Sequence, residues 1–210
     1  YFKLNSIVHR QSLDIKEIKR KSRNKVNFNF FKNFNGLKII NVGRLTHQKN
    51  QIILLRAFAK LVKIRSARLL LVGSGSDKEN LVNFINQKKI NDKVKIIPFT
   101  PNPFKYISLS DIKVLSSRYE GNPNILLEIA SLKKFIISSN CKVGPREILQ
   151  SGKGGILYKV GDYNRLYLIL KKIDLKSKYI KSKIENTYKY VHNNFQKDIS
   201  NPFIDIIKKL

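Results

Sequence analysis

The sequence predicts an α/β fold: a doubly wound parallel sheet of about six strands, followed by C-terminal helices. Three observations carry that reading. From Gly36 onward, short runs of β-branched and aliphatic residues recur; longer amphipathic segments separate them; and the glycines, prolines and paired charges gather directly after the runs. Near-continuous apolar runs suit strands covered on both faces, as in parallel sheets. Their alternation with helices gives the doubly wound arrangement, whose ligands bind outside the carboxyl ends of the strands.

In chain order, residues 1–35 are polar and lysine-rich, with SLDIKEIKRKS reading as a short helix and RNKVNFNFFKNFNG as an irregular connection. The strand runs are LKIINV (37–42), ARLLLV (67–72), KVKIIP (93–98), DIKVLS (111–116), KFIIS (134–138) and GILYK (155–159). Between and after them, helices are expected over 50–65, 77–89, 103–109, 123–132, 144–150 and 163–174. The last 35 or so residues read as two helices broken near Asn201-Pro202, and no internal repeat or low-complexity linker interrupts the chain.

The 210 residues, 42% hydrophobic and 10% aromatic, can bury one good core. No apolar run is long enough to span a membrane, and the first residues lack the features of a secretory signal. One cysteine, Cys141, cannot form an internal disulfide, which fits a reducing compartment and excludes a zinc site built on cysteines. His9, His47 and His192 are far apart, with no metal-ligand partner at helical spacing. The chain has no methionine and begins with Tyr1, as expected of a fragment or a trimmed product. The expected location is cytoplasmic, including the inner face of a membrane.

A formal net charge of +28 invites a nucleic-acid reading. Yet lysines far outnumber arginines and are scattered, and their abundance alongside Ile and Asn is what an AT-rich coding sequence yields. No zinc-finger, RNA-binding or basic-plus-heptad signature appears, so nucleic acid is not the expected partner. An anionic membrane surface, at about 1 kcal/mol per well-placed basic residue, is the better use of the excess.

The strand ends hold the candidate site. Gly43 permits a close approach, and Arg44 and Lys49 set two cations near a helix start that already favours anions. They suit a phosphate or diphosphate, or are two more surface cations. GSGS (73–76) lacks the spaced glycine fingerprint and reads as a turn. In SSRYEGNPNILLEIASL (116–132), Pro123 suits the first helical position, and Ile125, Ile129 and Leu132 are spaced for a buried face. Glu128 is one turn after Asn124, with its carboxylate leaning toward the helix N-terminus. Glu120, with seven residues between it and Glu128, can reach the same space from the loop. Such a pair can grip vicinal hydroxyls of a ligand with a diphosphate between, or be an exposed loop acid and a solvated helix position. Glu147 reads as structural, Cys141 as a small loop residue and His47 as solvated. For Phe99, Phe104 and Tyr106, core packing and base stacking are both open.

GRLTHQKN, LLLVGSGSDKENL, VKIIPFTPNPFKYISLSDIKVLSSRYEGNPNILLEIASL and GPREIL with GGILYKVGD resemble, in that order, the C-terminal half of glycosyltransferase family 4. These are retaining sugar-nucleotide transferases of the GT-B fold, with two Rossmann-like domains. The resemblance implies a sugar-nucleotide-binding domain over 36–175. It makes residues 1–35 a remnant of the interdomain connector, and 176–210 helices that pack on a missing N-terminal domain. Arg44 and Lys49 match the basic pair on the donor diphosphate, with Gly43 in the turn beside it. Glu120 matches the catalytic-site glutamate that contacts the donor sugar, and Glu128 the one that holds the ribose hydroxyls. Backbone around Asn122, Pro123, Asn124 and Ile125 would bind sugar and phosphate, and Pro98 and Phe99 the base. No cofactor or metal is implied; the substrate is a nucleotide diphosphate sugar, UDP-sugar favoured over GDP-sugar.

The implied reaction moves that sugar, with retention, to a glycan or lipid-linked acceptor in polysaccharide or lipopolysaccharide synthesis. Two positions depart from the family pattern: Asn122 stands where many relatives have an aromatic, and LKKFII lacks the usual glycine turn. Without the acceptor domain, the chain is expected to bind donor weakly and not turn over. An inactive remnant is the competing expectation.

Overall fold

Six strands, β1 (Leu37–Val42), β2 (Ala67–Val72), β3 (Val94–Ile97), β4 (Ile112–Leu115), β5 (Phe135–Ser139) and β6 (Ile156–Tyr158), form one sheet in the order β3-β2-β1-β4-β5-β6. Every pairing is parallel. The chain leaves β1 toward one edge and returns to the centre at β4, so the topological switch point lies between β1 and β4. This computed structural model describes residues 12–196; His9 and the expected break at Asn201-Pro202 lie outside them.

Alternation along the strands sorts the core into two layers. Leu37, Ile39, Leu69, Leu71, Ile112, Val114, Phe135 and Ile137 point to one face, covered by α2 (Gln51–Leu61), α3 (Lys78–Gln87) and α7 (Tyr163–Lys172). Leu54, Leu55 and Phe58 of α2 are fully buried there, each stabilising the fold by about 1.5–3 kcal/mol. Ile40, Leu70, Val72, Leu115 and Ile136 point to the other face. That face lies under α4 (Phe104–Ser108), α5 (Asn124–Ser131), α6 (Pro145–Ile148) and α8 (Lys178–Phe195).

Boundaries differ locally from expectation. β3 ends at Ile97 because Pro98 has no N–H to continue the ladder. The helix expected over 144–150 is a single turn, α6, then a 3-10 turn at Gln150–Gly152, broken where Gln150 and Ser151 take positive φ of 50° and 53°. Pro123 is not the first helical residue but caps α5 from outside. The buried face of α5 is Leu126, Leu127, Ile129 and Ala130, with Ile125 and Leu132 only partly covered.

The two flanks are also more integral than expected. Helix α1 (Ile15–Ser22) starts at Asp14, whose Oδ1 accepts the Glu17 N–H at 2.8 Å, and buries Ile15 and Ile18 in the second layer. Phe31 joins that layer, and Phe28 packs edge-on against Tyr106 of α4. Ile15, Ile18, Phe28 and Phe31 therefore pack this segment onto the domain. Helix α8 turns Ile180, Thr187, Val191 and Phe195 inward and packs on α5, so its buried stripe is used within this domain. The Leu13 N–H donates to the Phe195 carbonyl at 2.6 Å, tying the two flanks together.

Candidate functional site

A cleft of about 570 Å³ opens over the carboxyl ends of β1 and β2. Its walls are Gly43 and Arg44 after β1, Gly73 and Ser74 after β2, Phe99, Thr100, Pro101, Pro103 and Phe104 after β3, and Ile125 and Glu128 on α5. Another cleft, of about 470 Å³ between α7 and α8, lies away from the strand ends and the switch point. The strand-end cleft is where topology and polar groups converge.

The β1 and β2 loops touch without spare room. Gly43 N–H donates to Val72 O at 3.0 Å, and Leu45 N–H to Ser74 O at 2.9 Å. A Cβ on Gly73 would collide with the Gly43 carbonyl, and its φ of 152° already favours glycine. The GSGS turn is thus half of a nested pair of loops that lets the cleft floor lie close to the backbone.

The β1–α2 loop is stitched to the β4–α5 loop. Arg118 N–H donates to Gln48 O at 2.8 Å, Gln48 Nε2 to Tyr119 O at 3.2 Å, and Ser116 Oγ to Lys49 O at 2.8 Å. Lys49 Nζ reaches both carboxylate oxygens of Glu120, at 2.7 and 2.8 Å, and Ser117 Oγ donates to Glu120 Oε1 at 2.5 Å. The Glu120 side chain is 4% exposed. It is neither an exposed loop acid nor an open carboxylate.

Of the expected donor residues, Gly43, Arg44, Phe99, Ile125 and Glu128 line the cleft, while Lys49 and Glu120 are outside its lining and engaged with each other. Arg44 is exposed, 3.4 Å from Gln48 Oε1. Phe99 is 74% exposed at the mouth, its N–H donating to Ser74 Oγ at 3.2 Å, with Pro98 exposed beside it. Asn122, Pro123 and Asn124 form the turn into α5, where Asn124 N–H donates to Asn122 O at 2.9 Å. Asn124 keeps a buried side-chain oxygen with no partner among the described residues. Glu128 is partly buried rather than solvated, and burial pushes its carboxyl above the usual range against the opposing pull of Lys113.

Lys113 is the group sequence reasoning passed over. It is fully buried in β4, donates to Val42 O at 3.1 Å, and burial holds its amine well below the ordinary lysine range. The signal was present: DIKVLS carries a cation inside an apolar run. Asn41 was also missed; its Nδ2 donates to Val114 O at 2.8 Å, bridging β1 to β4 at the switch point. His47 is exposed, Cys141 is buried with its thiol pushed up by that burial, Glu147 is exposed on α6, and Phe104 is core. No group of three metal-ligating side chains occurs among the described residues.

The geometry can hold an anion at Arg44 and the α5 start, a hydroxylated ring at Glu128, and a flat group at Phe99. An uncharacterised glycosyltransferase of Methanocaldococcus jannaschii is 42% identical over 111 residues, 52% of this chain and 27% of that protein. A Campylobacter jejuni N-acetylgalactosaminyltransferase, named for a diphospho-undecaprenol-linked acceptor, is 31% identical over 133 residues, 63% of this chain and 36% of that protein. The chain thus spans well under half the length of these relatives. In fold, HepE of Anabaena in complex with UDP superposes with a TM-score of 0.78 at 17% identity, covering 95% of this chain and 56% of HepE. Residues 22–190 match the family described as glycosyl transferases group 1, and the chain belongs to that family.

Proposed function

We propose that this chain is the donor-binding half of a retaining glycosyltransferase, taking a UDP-sugar in preference to a GDP-sugar. The observation that carries the reading is the strand-end cleft, in which Arg44, Glu128 and the exposed Phe99 converge on one space. Arg44 and the first turn of α5 neutralise the diphosphate, Glu128 accepts hydrogen bonds from the ribose hydroxyls, and Phe99 offers a face to the base. Glu120, braced by Lys49 and Ser117, borders the donor sugar and orders the loop that receives it.

The acceptor in this reading is a glycan or lipid-linked sugar in cell-surface polysaccharide synthesis, and the relative named for a lipid-linked acceptor supports it. Work at the cytoplasmic face of a membrane belongs to the same reading. Arg56, Lys60, Lys63 and Lys88 line one basic cleft between α2 and α3, the kind of surface that anionic headgroups attract. The acceptor site and part of the catalytic centre belong to a second domain, so turnover needs more than these residues.

Calorimetric titration with UDP and with GDP tests the donor site. Saturable binding is expected, tighter for UDP, and weakened about tenfold or more by Glu128→Ala and by Arg44→Ala. Absence of binding to either nucleotide, or binding indifferent to both changes, would contradict it.

A further inference from the structure

Strand β4 carries a lysine where the strands beside it carry aliphatic side chains. In register, Lys113 stands between Ile40 of β1 and Ile136 of β5, both members of the apolar layer under α5. Its exposure is 0%. Among the described residues its one hydrogen bond runs to the Val42 carbonyl at 3.1 Å, although an ammonium has three protons to donate. A partly buried lysine looks different here: Lys134 donates to two carbonyls, Ser108 and Ser110, at 2.7 and 2.8 Å.

The place of Lys113 is functional in two respects. Val42 closes β1, and its carbonyl immediately precedes Gly43 and Arg44 of the cleft wall. The charges that face the amine come from three further elements: Lys49 on the β1–α2 loop, Glu120 on the β4–α5 loop and Glu128 on α5. Burial is the largest influence and favours the neutral amine; Lys49 adds to it, and the two glutamates oppose it. With Lys49 and Glu120 paired, the balance beneath the cleft is between Glu128 and Lys113. Set between Ile40 and Ile136 and shut off from water, the amine is held toward its neutral form, so it offers an incoming diphosphate no positive charge until it gains a proton.

We propose that Lys113 is a positioning residue that takes up one proton from solvent when a nucleoside diphosphate enters the cleft. The ammonium then offsets ligand charge from beneath Gly43 while keeping the Val42 carbonyl, and so the phosphate loop, in place. The proposal rests on the donor-site reading above. A lysine that only filled space would show no such linkage.

The test is calorimetric titration of UDP into the full chain at about pH 8, where a terminal phosphate is fully ionised, in two buffers of different ionisation enthalpy. The wild-type chain should take up protons on binding. Lys113→Met should abolish the uptake and raise the Kd about tenfold, with a thermal midpoint equal to or above wild type, because Met suits the apolar row. Arg44→Ala should weaken binding yet keep the uptake, which separates lost affinity from lost protonation. Wild-type binding without buffer dependence, or uptake that survives in Lys113→Met, overturns the proposal and leaves the donor site standing. Should Lys113→Met fail to fold, Lys113→Leu is titrated in its place and must likewise lose the uptake. No saturable binding of UDP or GDP by the wild type overturns both.

Discussion

The ammonium of Lys49 and the carboxylate of Glu120 hold each other at 2.7 and 2.8 Å across the gap between the loops that follow β1 and β4. The two residues are 71 apart in sequence, and their pairing joins the loops at the switch point of the sheet. With Ser117 Oγ as a further donor, Glu120 is fixed before any ligand arrives.

Breaking that pair from one side strands a charge. Glu120→Ala leaves the Lys49 ammonium, whose side chain is 18% exposed, without its partner. The expected loss is about 3 kcal/mol, the low end for an orphaned member of a buried pair, since Lys49 keeps some access to water. Replacing both residues with apolar ones should cost less than the sum of the single changes. Urea unfolding of the two single variants and the double variant reads this directly.

Glu128 should show the opposite balance between stability and binding. Burial raises its folded-state carboxyl above the unfolded value, so its contribution is fully present below the unfolded pKa and fades as pH rises through the folded one. Glu128→Gln should therefore gain stability relative to wild type as pH climbs from the acid range toward neutrality, while losing affinity for UDP. Denaturation midpoints across that pH range, set beside nucleotide titrations, check both halves.

Phe99 is 74% exposed, so its loss removes little buried area. Phe99→Ala should leave stability within about 0.5 kcal/mol of wild type. It should weaken UDP binding by about 1–3 kcal/mol if the base stacks there. Equal affinity for UDP in the two proteins would place the base elsewhere.

Gly73 tests the nested loops. A methyl group there meets the Gly43 carbonyl at a φ that side chains rarely adopt, so Gly73→Ala should cost about 2 kcal/mol or more. Nucleotide affinity should fall with it, because the wall formed by Gly43 and Arg44 must shift. A variant with unchanged melting temperature would show that the two loops have slack.

Much of this architecture was legible in the sequence, because a buried parallel sheet writes itself as apolar runs such as ARLLLV and as helices with one apolar stripe. Every strand fell within a residue or two of its run. What was not legible depends on contacts between distant segments. Nothing local to Ile15, Ile18 or Phe31 says that they pack against the layer of α4 and α5. The last residues read as helical, but nothing in their own pattern names α5 as a partner of α8.

At the site, the residue types were readable and their pairings were not. Lys49 read as a cation for a phosphate because pairing across 71 residues leaves no local trace, and Glu120 read as open for the same reason. Lys113 was hidden by the pattern around it: one lysine inside an apolar run reads as noise in a chain of net charge +28. Only the register, which sets it between Ile40 and Ile136, shows that it points inward.

The most direct measurement is the structure of this chain with UDP bound. It should show the diphosphate between Arg44 and the first turn of α5, the ribose hydroxyls on the Glu128 carboxylate and the uracil against Phe99. UDP seated in the cleft between α7 and α8 or on the basic surface of α2 and α3, with Arg44 and Glu128 untouched, would contradict the account.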